Sequence, residues 1–194
     1  MPARIPLFIL LAAALVAGCG GGGKRISEAN LSRLVLREQD LPPVFSSFNF
    51  GKQAHLDNSG TTRADPARYG RKGGWIARYN RPGSSNTRGP LVVESRADLF
   101  ADAGGAKDDL AAYRVDFSRI PGSDLHVLSL PKLGDAAFGV TFVQPGAKPV
   151  RFFRIAWRDR NVSASVTVQG FGARIALSDA LALARKQERL ISNS

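Results

Sequence analysis

The sequence predicts an α+β fold: a single domain with a mainly antiparallel sheet of about five to seven strands, carrying an N-terminal, a central and a C-terminal helix. Three observations point there. Helical and alternating apolar periods succeed one another in the order helix, strands, helix, four strands, helix. The connections between alternating segments are tight, and those segments are apolar on one side only, as antiparallel strands with a solvated face are. Apolar residues make up 44 % of the 194-residue chain, enough for one sizeable core, and no repeat with a period of about 20–50 residues is visible.

The chain opens with Arg4 and an apolar run of thirteen residues, Ile5 to Ala17, broken only by Pro6. Spanning a bilayer takes about 20 residues, so this run is short for a transmembrane helix and has the length of a signal peptide. It exits through Val16-Ala17-Gly18 to Cys19, the single cysteine of the protein. The tetrapeptide Val16-Ala17-Gly18-Cys19 resembles the lipobox of bacterial prolipoproteins. That resemblance implies cleavage before Cys19, a diacylglycerol on its thiol, a membrane as partner and an extracytoplasmic location in the cell envelope. Two other readings stand beside it. An uncleaved signal anchor would have to use Ile5 to Gly22, whose glycines make a poor second half. An ordinary secretory cut would leave Cys19 in the leader or as an exposed thiol. The chain divides accordingly into a signal peptide (1–18), a lipidated Gly-rich tether (19–25) and one domain (26–194). Without a second cysteine that domain has no disulfide and stands on packing alone.

Gly20-Gly21-Gly22-Gly23-Lys24-Arg25 reads as a short tether of about 14 Å r.m.s. reach. Lys24 and Arg25 would touch anionic headgroups at about 1 kcal/mol each, secondary to acyl chains that contribute about 0.8 kcal/mol per buried methylene.

The elements follow in order. Ser27 as N-cap, with Leu31, Leu34 and Val35 at helical spacing, predicts a helix near Ile26 to Arg37. Asp40-Leu41-Pro42-Pro43 stops it, because proline disfavours the helical conformation of the residue before it. Residues 51–74, rich in Gly, Ser, Thr, Asn and Arg, read as a long loop with at most one short strand. Trp75, Ala77 and Tyr79 alternate on a strand that ends at the turn-rich Arg81-Pro82-Gly83-Ser84-Ser85-Asn86. Leu91 to Leu99 is the next strand, with Val93, Ala97 and Leu99 on one face. Ala106, Leu110, Tyr113 and Phe117 form the apolar stripe of a helix from Asp102 to Arg119, weakened in its first turn by Gly104 and Gly105. Strands are expected at Leu125–Leu130 and Phe138–Val143. Val150 to Gln169 predicts a hairpin turning at Arg158-Asp159-Arg160-Asn161, with Trp157 opposite Val162, Ile155 opposite Ala164 and Phe153 opposite Val166, all on one side. A last helix starts near Ser178, buries Leu181, Ala184 and Ile191, and carries Arg185, Lys186 and Arg189 toward its negative end. Asp40-Leu41-Pro42-Pro43, Leu133-Gly134-Asp135-Ala136 and the Trp157–Val162 hairpin resemble those of small uncharacterised lipoproteins of GC-rich bacteria. Some of these adopt a PsbP-like or Mog1-like sandwich; the resemblance implies a fold and no activity.

Charge carries the one suggestive functional signal. The formal net charge is +11, or +10 once Arg4 leaves with the leader, and Arg outnumbers Lys by 20 to 7. Arg63, Arg68, Arg71, Lys72, Arg78, Arg81 and Arg88 concentrate in and beside the long loop, against Asp57 and Asp65. Arg154, Arg158 and Arg160 add a row on the last hairpin. Arginine forks suit phosphate and carboxylate, so these residues form a candidate anion-binding surface for wall polymer, lipid headgroups or an envelope protein. Solvated charge in an arginine-biased proteome is the plainer account. Export argues strongly against nucleic acid as partner.

Catalytic and cofactor motifs are otherwise missing. His55 and His126 have no metal-ligand spacing, and an acylated Cys19 leaves no thiol, so no metal and no cofactor are expected. Ser129-Leu130-Pro131-Lys132 fits an S-x-x-K pattern, but such a serine needs a helix N-terminus, which Pro131 and the strand-like residues before it contradict. Gly170-Phe171-Gly172 lacks the third glycine of a dinucleotide loop, with Ile175 in its place. The expectation is a non-enzymatic binding module, with an unrecognised envelope hydrolase built from scattered Asp, Ser and His as the alternative.

Overall fold

A computed structural model describes residues 24–53, 66–120 and 123–194, with the backbone alone for Pro66, Arg68 and Ser123. Its strands are β1 (Ser46–Lys52), β2 (Arg71–Asn80), β3 (Val92–Phe100), β4 (Ser123–Val127), β5 (Ala136–Gln144), β6 (Val150–Asp159) and β7 (Val162–Phe171). They form a single sheet in the order β1-β2-β3-β7-β6-β5-β4, antiparallel throughout. The helices are α1 (Ala103–Ser118) and α2 (Leu177–Ser192). The predicted α+β class holds. Chain topology explains the order: α1 carries the chain from β3 to the far edge, and the meander β4–β7 brings it back to pair β7 with β3.

Alternation gives the sheet two unlike faces. One buries Ala77, Tyr79, Val93, Ala97, Ile155, Trp157, Ala164, Val166 and Val168 beneath α2 and the N-terminal segment. The other packs Leu110, Tyr113 and Phe117 of α1 on Phe138, Val140, Phe142 and Ala156. The α1 stripe is thus the predicted one, with Ala106 also buried. Asp102 caps α1, accepting from the Gly105 N–H at 2.9 Å. Gly105 has a positive reason to be there: a Cβ would come within 2.1 Å of the Tyr69 carbonyl oxygen.

The N-terminal segment departs from expectation. In place of an α-helix over 26–37 there is a 3₁₀ helix, Glu28–Arg33, and a second short one, Glu38–Asp40. Leu34, Val35 and Leu36 are consecutive and all fully buried, which no amphipathic helix allows. The backbone there bonds to side chains instead: Leu36 N–H donates to Ser95 Oγ at 3.0 Å, and Tyr79 Oη donates to the Leu36 carbonyl at 2.8 Å. The Asp40-Leu41-Pro42-Pro43 stop works as read and also clamps the segment, since Lys186 of α2 donates to the Asp40 carbonyl at 2.5 Å.

Two further corrections concern strands. β1 lies partly in what reads as loop, and β2 begins at Arg71, well before Trp75. The hairpin register is shifted by two: Trp157 faces Ala164, Ile155 faces Val166 and Phe153 faces Val168. The turn is the two residues Arg160-Asn161, with Arg160 at φ +52°. Because the shift is even, every apolar side chain keeps its predicted face. Gly134 sits under this turn at φ +55°, where a Cβ would lie 2.3 Å from the Arg158 carbonyl oxygen. Its neighbour Asp135 accepts from Arg158 Nη1 at 2.9 Å and from the Arg160 N–H at 3.1 Å.

Candidate functional site

The arginines that read as one surface are dispersed over the molecule. Cys19 and Arg63 lie outside the described residues, as do His55, Asp57 and Asp65, and Arg68 is placed by backbone only, in the short helix Pro66–Tyr69. Arg71 is interior. Its Nε and Nη2 both reach Asp98 Oδ1 at 2.7 Å, with the two side chains 5 % and 0 % exposed, and Nη2 also donates to the Gln53 carbonyl at 2.8 Å. Gly74 leaves room for this pair, since a Cβ would fall 2.0 Å from Arg71 Nη2. Arg81 staples its own loop by donating to the carbonyls of Pro90 and Arg88, its guanidinium 5.4 Å from the Phe45 ring. Lys72 and Arg88 are exposed.

Arg158 and Arg160 stand at the β6–β7 turn, each held by an acid. Arg158 pairs with Asp135 at 2.9 Å and Arg160 with Asp159 at 3.1 Å. Arg160 also donates to the carbonyls of Lys24 at 3.0 Å and Ile191 at 2.5 Å. These two are structural cross-links before they are a binding surface.

Arg78 and Arg154 share the α1 side of the sheet but stand three strands apart, about 14 Å. The register lines up Asn49, Arg78, Glu94, Thr167, Arg154 and Val140 in one row across six strands. Arg96, beside this row, was not singled out from sequence, although it alternates with Glu94 and Asp98 on the polar side of β3. Arg78 is paired: its Nε donates to Glu94 Oε2 at 2.7 Å. Arg154 is not paired in this way. Its guanidinium lies 5.3 Å from the Phe142 ring and 5.8 Å from the Phe117 ring, and its buried Nε has no hydrogen-bond partner among the described residues. Burial pushes its pKa below the ordinary arginine value, with Arg96 adding to that and with Glu94 and Tyr113 opposing it. Phe142 and Phe152 stack beside it at 4.7 Å, nearly parallel. The result is a desolvated cation on aromatic walls, with Arg96 and Glu94 as the nearby charges that act on it. Chemically it can accept an anion carried by a flat or apolar body.

Elsewhere, His126 Nε2 lies 2.6 Å from Asp124 Oδ1 on exposed β4, and Arg151 Nη2 donates to the other oxygen at 2.7 Å. The Arg151 and His126 contacts hold the Asp124 carboxyl below its ordinary range. Ser129 and Lys132 lie in an extended connection, with no helix to bring them together. Among the described residues no three His, Cys, Asp or Glu side chains cluster as metal ligands, and no helix is long and apolar enough to cross a membrane.

No family model matches the chain. No curated protein sequence is similar to it either. Its fold, however, is similar to that of the extracellular domain of PknH from Mycobacterium tuberculosis. The TM-score is 0.65 at 14 % identity, over 89 % of this chain and 100 % of that one.

Proposed function

We propose that this chain is an envelope lipoprotein, anchored through acylated Cys19, whose extracytoplasmic domain is a non-enzymatic binding module. The observation that carries the reading is the juxtaposition of a lipobox-like Val16-Ala17-Gly18-Cys19 with a fold otherwise known from an extracellular domain. Mass spectrometry of the membrane-extracted protein tests it. A chain starting at Cys19 with a diacylglycerol on sulfur, and release of Cys19→Ser into the soluble fraction, is the expected result. An unmodified residue 19, or undiminished membrane partition of Cys19→Ser, overturns it.

A second reading concerns what is bound. The two aromatic contacts of the Arg154 guanidinium and the charge of nearby Arg96 support an anion site on the α1 side of the sheet. Phosphate-bearing wall polymer and anionic lipid headgroups share the chemistry. Pull-downs with each, at low and moderate salt, separate the two sources. Retention indifferent to salt and to Arg154→Leu removes the site.

A further inference from the structure

The chain enters the domain at one end of the sheet and is fastened there. Ile26, 2 % exposed, donates its N–H to Asn161 Oδ1 at 2.9 Å and accepts from Asn161 Nδ2 at 3.1 Å. The same amide nitrogen donates to the Phe100 carbonyl at 3.1 Å. One residue beyond Arg25, the Lys24 carbonyl accepts from Arg160 Nη1 at 3.0 Å. Residues 24–26 therefore belong to the domain, and Gly20 to Gly23 alone separate Lys24 from Cys19.

That spacing fixes a distance. Five peptide steps extend to at most about 18 Å. The β6 strand, ten residues from Val150 to Asp159, is about 30 Å long. The tether is fastened at its Asp159 end, together with the first turn of α1 and the C-terminus of α2. The β2–β3 connection (residues 81–91) and the β5–β6 connection (145–149) lie at the other end. An anchor with about 18 Å of reach cannot lower that other end onto the bilayer while the fastened end stands about 30 Å higher.

We propose that the anchored domain keeps its fastened end toward the membrane, with the β6–β7 turn, the first turn of α1 and the last turn of α2 nearest the lipid headgroups. The β2–β3 and β5–β6 connections then point away from the membrane. This rests on the acylation of Cys19. A cleft of about 1000 Å³ opens at the membrane-facing end, lined among others by Lys24, Arg25, Asp102, Asp135, Arg158 and Ser192. Arg158 and Arg160 are neutralised there by Asp135 and Asp159. Lys24 and Arg25, both exposed, make no ion pair among the described residues and are cations open to headgroup phosphates.

The test uses the full acylated protein in phosphatidylcholine vesicles containing a lipid with a nitroxide on its headgroup. Acylation blocks the Cys19 thiol, so a second cysteine takes a fluorophore uniquely. Ala103→Cys and Ser192→Cys report on the fastened end, Asn86→Cys and Lys148→Cys on the other; all four positions are exposed. The expected result is several-fold stronger quenching for the first two, and a smaller contrast once a dozen Gly and Ser residues are inserted before Lys24. Equal quenching at all four positions in acylated protein overturns this orientation alone. A residue 19 without diacylglycerol removes the lipoprotein reading, and this one with it.

Discussion

Ser95 and Gln187 meet in the middle of the protein, the serine hydroxyl donating to Gln187 Oε1 at 2.8 Å. The serine is on β3, the glutamine on α2, and both are fully buried. Ser95 also accepts from the Leu36 N–H, and Gln187 Nε2 donates to the Arg96 carbonyl at 2.8 Å. One polar relay thereby fixes the N-terminal segment, the sheet and the last helix relative to each other. Replacing Gln187 with Ala removes the acceptor of the Ser95 hydroxyl and one donor to the Arg96 carbonyl, and opens a cavity. The expected loss is about 2–4 kcal/mol in urea unfolding.

Two glycines should respond in opposite ways to alanine. Gly134 combines a left-handed backbone with an overlap against Arg158, so Gly134→Ala should lower stability by about 2 kcal/mol or more. Gly51, in β1, has nothing within 4 Å of its Cβ position. Gly51→Ala should be neutral or stabilising by up to about 1 kcal/mol. Thermal melts of the pair check both signs.

Two arginines of the candidate anion-binding set should also diverge. Arg71→Leu deprives a fully buried Asp98 of its ion-pair partner and should cost about 3–5 kcal/mol. Arg154→Leu exchanges an unbonded Nε and two ring contacts for apolar packing. It should stay within about 1 kcal/mol of the parent protein while losing anion retention. Denaturant midpoints together with the pull-downs decide. A collapse of Arg154→Leu would make that residue structural.

Tyr79 gives the fold an alkaline limit. Burial first, then the nearby Asp40 and Glu38, raise its pKa to about 12 from 10.0. The neutral phenol is the form the fold accommodates, so the contribution is complete below pH 10 and is lost as pH climbs toward 12, where the unfolded chain has already released its proton. Tyr79→Phe should unfold more easily at neutral pH by about 1 kcal/mol, having lost the bond to the Leu36 carbonyl. It should also show a flatter decline in melting temperature between pH 10 and 12.

Much of this architecture is legible in the sequence where one face of an element meets a core. Ala106, Leu110, Tyr113 and Phe117 could be read because α1 touches the sheet along a single stripe. The β6–β7 face could be read for the same reason, but not the turn, since Arg160 takes a left-handed conformation without the Gly, Asn or Asp that signals one. β1 escaped because nearly all its side chains are exposed, Phe48 and Phe50 included, as suits an edge strand. The N-terminal segment escaped because its hydrogen bonds go to Ser95 and Tyr79, far along the chain. The charged residues fared least well. Which arginine meets an acid depends on β3 lying beside β7 and β2 beside β3, a pairing set by topology and invisible to local composition.

Arg160 grips both Lys24 and the final turn of α2, and it does so from β6–β7, strands in the interior of the sheet. A pull on the N-terminal segment therefore enters the molecule through its middle and loads several hydrogen bonds at once, so tension at the foot spares the edge strand β1 from being peeled away first.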